Sequence, residues 1–133
     1  MPETKGSVET KIARMRAAYE AWPDLDGYLR EFRDDAVWHS SMAGDVSGKQ
    51  AIRAYLSPIL QSVEEWTFDI HDIVVSDEHT VILGRNDVRF TNGQVLQGLP
   101  SAEVLHQDDE GLATDVWPIF DTHPWRKALA GTD

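Results

Sequence analysis

The hydrophobic period changes once along this chain, and that change restricts the fold more than any other feature. Up to Leu60, apolar residues recur every three or four positions. Val8, Ile12, Met15, Tyr19 and Trp22 form one stripe, and Ile52, Tyr55, Leu56, Ile59 and Leu60 form another. Such stripes mark amphipathic helices that bury one face. From Trp66 the period is two: Trp66, Phe68 and Ile70 alternate with Thr67, Asp69 and His71, as in strands with one buried side. Helices first and strands afterwards specify an α+β domain.

Local signals set the boundaries. The first helix ends at Pro23, and a short second helix over Leu25, Tyr28, Leu29 and Phe32 takes Asp24 as its N-cap. Ser47-Gly48-Lys49-Gln50 has capping-box spacing and opens the third helix, which Pro58 should kink or divide. Residues 35–41 form a short strand with Trp38 and Ser40 on one side and Val37 and His39 on the other. Four strands then follow as an antiparallel meander, the last over about 112–121. Asn92-Gly93 predicts a two-residue hairpin with positive φ at both positions, which sets Arg85 opposite Pro100. A proline there demands a bulge, bend or edge, so the sheet should bend at Gly98-Leu99-Pro100. The expected fold is a strongly curved, mostly antiparallel sheet wrapped around the N-terminal helices. It forms a cone with an internal cavity, a single domain over 1–133.

Composition narrows the chemistry. The 133 residues include no cysteine, which excludes disulfides, thiolate nucleophiles and zinc ribbons. Asp plus Glu number 23 against 12 Lys plus Arg, a net charge of −11. That field repels phosphate backbones and anionic lipids, so neither nucleic acid nor membrane is expected as a partner. The opening MPETKGSVETK has no apolar h-region, and the chain reads as cytoplasmic. The five histidines lack metal-ligand spacing, so no metal is expected, and no organic cofactor either. Five tryptophans suit a pocket for an apolar small molecule.

Candidate site residues follow from strand parity. Leu83 reads as inward, which places Arg85 and Asp87 on the same core-facing side as a charge pair. A bulge at Pro100 would turn Glu103 to that side as well. There, between Ala102 and Val104, burial would raise its pKa and let it donate a proton. On the last strand Trp117 and Ile119 would line the pocket and Asp121 would cap it, with Trp38 as the facing wall. Trp22 and Trp66 read as core, Trp125 as a seal or subunit contact, and His39 as packed against a helix.

Several motifs resemble the SnoaL-like and ketosteroid-isomerase-like superfamily, whose relatives include limonene-epoxide hydrolase and polyketide cyclases. They are Asp24-Leu25-Asp26-Gly27-Tyr28-Leu29 leading into Phe32-Arg33-Asp34-Asp35-Ala36-Val37-Trp38, then Gly48-Lys49-Gln50-Ala51-Ile52-Arg53, Asp109-Glu110-Gly111 and Phe120-Asp121. Arg85-Asn86-Asp87 is similar to the Arg-x-Asp of the epoxide hydrolases. Ile119 stands where their second aspartate would fall, and Trp38 and Ser40 where their tyrosine and asparagine would. By resemblance to the steroid isomerases, Ser40 occupies the slot of the base, Glu103 that of the protonated oxyanion-hole acid and Tyr19 that of the tyrosine.

The resulting expectation is a cofactor-independent general acid/base enzyme of isomerase, cyclase, dehydratase or epoxide-hydrolase type. Asp87, Arg85 and Glu103 would be catalytic, and Tyr19, Trp38, Ser40, Trp117, Ile119 and Asp121 would bind an apolar cyclic or oxygenated substrate. The alternative is a non-catalytic ligand-binding or dimerisation module. The resemblance further implies a homodimer through the outer sheet face, near Thr67, Asp69 and His71.

Overall fold

A computed structural model describes residues 2–131. Its elements in chain order are α1 (Pro2–Ala21), α2 (Leu25–Leu29), β1 (Phe32–Ser40), β2 (Gly44–Ser47), α3 (Lys49–Gln61), β3 (Val63–Val75), β4 (Thr80–Phe90), β5 (Val95–Gln107), β6 (Ala113–Phe120) and α4 (Thr122–Ala130). The strands form one curved, unclosed sheet in the order β2-β1-β6-β5-β4-β3. Every neighbouring pair is antiparallel except β1 with β6. This is the α+β cone expected from the change of period. Among the described residues no helix is long and apolar enough to cross a membrane.

Local chemistry explains most boundaries. Phe32 opens β1 rather than belonging to α2, β2 is a strand that the sequence reading does not foresee, and four further expectations need correction. Ser47 pairs with Val37 as the last residue of β2, so Gly48, not Ser47, caps α3, and no side-chain bond closes a capping box. Pro58 lies in the last turn of α3, and the helix runs on to Gln61 undivided. The β4–β5 hairpin has three loop residues rather than two. Phe90 N–H donates to Gln94 O and Gly93 N–H to Phe90 O, and Gly93 alone takes positive φ. The fourth is α4, which parity reading runs past. Asp121 accepts from His123 N–H at 3.1 Å as its N-cap, Pro124 sits in its first turn, and Gly131 closes it in a left-handed conformation.

Two register steps in the β4–β5 hairpin cancel. Arg89 pairs with Val95, one step off the two-residue register, but a bulge between Asn86 and Val88 restores it, and Arg85 does face Pro100. The extra residue falls at Gln97-Gly98, where Gly98 N–H donates to Asp87 Oδ1 at 2.7 Å. A bulge reverses the facing parity of the strand beyond it. Leu96 is inward before it, whereas Ser101, Glu103 and Leu105 are inward after it.

The core divides in two. Met15, Ala18, Tyr19, Tyr28 and Leu29 pack under the helices against Ile82, Leu105 and Val116. Val88, Phe90, Leu96, Trp125 and Ala128 form a second cluster beneath α4. Between them lies a cavity.

Candidate active site

The cavity is an aromatic cage of about 90 Å³. Four indoles line it: Trp22 just after α1, Trp38 from β1, Trp66 from β3 and Trp125 from α4. Trp22 meets Trp66 edge to face at 4.9 Å, Trp66 lies 4.8 Å from Trp125, and Tyr28 links Trp22 to Trp38. Such packing fixes the walls while leaving apolar ring faces to a ligand. Trp22, Trp66 and Trp125 are therefore cavity walls, not plain core or a seal. Their signal in the sequence was only their residue type.

One carboxyl enters this cage. Glu103 pairs with Ile82 on one side and Pro118 on the other, and its side chain is buried. The Tyr19 hydroxyl donates to Glu103 Oε1 at 3.3 Å, and the Tyr28 hydroxyl lies 3.0 Å from that of Tyr19. Burial pushes the Glu103 pKa up to about 7, against the opposing pull of the Tyr19 bond. Burial likewise raises both phenols well above their ordinary value, so Tyr19 and Tyr28 stay protonated donors at neutral pH.

Two further polar groups complete the lining. Ser40 Oγ lies 3.1 Å from the Tyr55 hydroxyl on α3. Asn86, buried on β4, accepts from Trp66 Nε1 at 2.9 Å and donates to Leu99 O and Ser101 Oγ. It thereby ties the cage wall to the strand beyond the bulge. Tyr28 and Tyr55 escape a reading based on parity and spacing, because a hydroxyl in a helical stripe looks like core; Asn86 escapes it because Arg85 and Asp87, in the opposite phase of β4, read as inward.

Of the residues expected at the site, the structure brings Tyr19, Trp38, Ser40 and Glu103 together in the cavity. It places five elsewhere. Arg85 and Asp87 are exposed on the outer face of β4, because Ile82, Asn86, Val88 and Phe90 are the inward set. Leu83 misleads the parity reading, being itself 37% exposed. Keeping three charged residues, Arg85, Asp87 and Arg89, in water avoids their desolvation. On β6, Pro118 and Phe120 line the cavity; Trp117 projects from the opposite face, and Ile119 is 54% exposed. Asp121 caps α4.

The outer face carries its own cluster. His39 stacks on Trp117 at 4.5 Å with planes 6° apart and bonds Asp45 at 2.8 Å and Asp115 at 3.0 Å. It packs against that indole rather than a helix. Partial burial lowers its pKa, but the two aspartates outweigh this and the net shift is upward.

An open curved sheet wrapped with helices around an aromatic cavity defines an NTF2-like α+β cone. The chain belongs to the SnoaL-like family, whose SnoaL-like domain matches residues 12–116. Solved structures agree on the fold. An NTF2-like protein of unknown function from Burkholderia pseudomallei K96243 is 23% identical, with a TM-score of 0.79, over 89% of this chain and 95% of that one. A protein described as a SnoaL-like polyketide cyclase from Jannaschia sp. CCS1 superposes with a TM-score of 0.81 at 11% identity, over 94% of each chain. TerC, co-crystallised with polyporic acid, gives 0.79 at 19% identity, over 91% of this chain and 98% of that one. Among curated proteins none matches.

Proposed function

We propose that this chain is a small enzyme that transfers a proton on an apolar, oxygenated molecule held in the cavity, with Glu103 as the acid/base group. One observation carries the reading: a single carboxyl lies buried among aromatic rings with a pKa of about 7. General acid/base groups work best when their pKa lies near the operating pH. Protonated, Glu103 donates to a ligand oxygen and stabilises charge developing there. Ionised, it takes a proton from the ligand, and the Tyr19 hydroxyl supports the carboxylate. Isomerisation, cyclisation and dehydration need no more than this. The epoxide-hydrolase type finds no support, since Arg85 and Asp87 lie on the outer face of β4. That TerC was co-crystallised with polyporic acid fits a small-molecule cavity in this fold.

The test uses 1-tetralone in deuterated buffer. Its α-hydrogens should exchange faster with wild-type protein than in buffer alone, and Glu103→Gln should lower that rate by about 10² or more. Equal exchange in both proteins refutes the acid/base role. Glu103 is the only carboxylate among the described cavity-lining residues, so no second acid/base group assists it, which favours ligand binding without turnover as the second reading; binding of tetralone with no exchange would establish it. The homodimer is likewise proposed, through the outer sheet face. Leu83 and Ile119 are exposed there in one row across Ala102. Light scattering that gives the 15.0 kDa of one chain would contradict it.

A further inference from the structure

The Tyr55 hydroxyl in the cavity wall has a proton with no acceptor among the described residues. Ser40 Oγ accepts from the backbone N–H of Met42 at 3.0 Å and of Ala43 at 3.1 Å. A hydroxyl oxygen has two lone pairs. Both are then filled, so in the 3.1 Å contact between Ser40 Oγ and Tyr55 Oη it is Ser40 that donates. The Tyr55 proton is left with no acceptor among the described residues, and Tyr55 lines the cavity.

The Glu103 wall follows the same rule. Tyr19 donates its one proton to Glu103 Oε1, so Tyr28 must donate to Tyr19. Glu103 Oε2 keeps no partner among the described residues. Ser101 Oγ accepts from Asn86, and its own proton has no acceptor among the described residues. The amide oxygen of Asn86 accepts from Trp66 Nε1 and keeps one lone pair. The protons of Tyr55 and Ser101 therefore favour a ligand that accepts hydrogen bonds at more than one point.

We infer that the cavity takes a ligand with two acceptor oxygens, one held by Glu103 and the other by Tyr55, with Ser40 as the positioning residue for Tyr55. The inference rests on the reading of Glu103 as the acid pole and adds the second pole and the ligand class.

Cyclohexane-1,4-dione and cyclohexanone are the probes, and the indole N–H resonances report binding. Trp22, Trp38, Trp66 and Trp125 should shift while Trp117 does not. Wild-type protein should bind the dione about tenfold more tightly than cyclohexanone, well beyond the twofold that counting two carbonyls gives. Tyr55→Phe should reduce the preference to about twofold, with unliganded indole resonances like those of wild type. Ser40→Ala should reduce the preference in the same direction. A dione preference of twofold or less in wild type, equal weakening of both probes by Tyr55→Phe, or no shift of the four indoles overturns the inference. Glu103→Leu separates the two claims: if it leaves both affinities unchanged while Tyr55→Phe acts as expected, the Glu103 reading fails and the Tyr55 pole stands.

Discussion

Tyr19 and Glu103, 84 positions apart in the chain, meet at 3.3 Å in the cavity with the phenol donating to the carboxyl. Helix α1 supplies one and β5 the other, and no local signal links them. This contact stabilises the carboxylate in a place where burial opposes it, and the balance leaves Glu103 at a pKa of about 7.

Stability should depend on pH through this group. Its pKa in the fold lies above the ordinary 4.5, so the native state binds the proton more tightly than the unfolded chain. The resulting stabilisation is complete below about pH 4.5 and is lost as pH rises through about 7, roughly 3 kcal/mol in all. Denaturant midpoints at pH 5 and pH 8 should differ more for wild type than for Glu103→Gln. Equal pH dependence in the two proteins would contradict the assignment.

Tyr19→Phe removes the one bond that lowers the Glu103 pKa. The carboxyl should then titrate higher still, as followed by its 13C resonance across pH. Loss of a buried hydrogen bond should also cost about 1–2 kcal/mol. A downward shift on substitution would refute the donor role.

Gly84→Ala should destabilise the fold by about 1–3 kcal/mol. Phe68 lies across Gly84, and a Cβ there would stand 2.5 Å from Phe68 Cζ and 2.7 Å from the Asp69 carbonyl oxygen. Since Phe68 lines the cavity, the variant should also weaken tetralone binding. Wild-type affinity and melting temperature together would show that the wall yields without cost.

Asp87→Asn should leave tetralone affinity and hydrogen exchange at wild-type values, since Asp87 is exposed on the outer face. The amide oxygen of Asn can still accept from Gly98 N–H in the bulge, so the expected loss in stability is below about 1 kcal/mol. Abolished exchange in a folded variant would return the acid/base role to this residue.

How far the site was legible depends on how strongly each strand discriminates its faces. The parity of β1 was clear, with Trp38 and Ser40 inward and His39 outward. On β6 both faces are apolar, so alternation alone leaves the choice between Trp117 with Ile119 and Pro118 with Phe120 undecided; pairing of β6 between β1 and β5 settles it. The face of β4 was decidable, because Arg85, Asp87 and Arg89 share one phase and charges resist burial. Leu83 drew the reading the other way. Helix α4 also left signals, in Asp121, Pro124 and Gly131, that outweigh the strand pattern running into them.

By itself the sequence determined the α+β class, the order of the first three helices and of five of the six strands, the family motifs and a break in the strand near Gly98. These depend on periodicity and turn chemistry, which act between near neighbours. Only the tertiary structure decided which carboxylate enters the cavity. A one-residue bulge reverses the parity of β5 and turns Glu103 inward, while Asp87 stays on the outer face of β4. It also decided the use of the tryptophans: four line the cage, and Trp117, on the opposite face of β6, stacks on His39 outside. Both outcomes depend on pairings between distant segments, whose energies no local stretch of sequence contains.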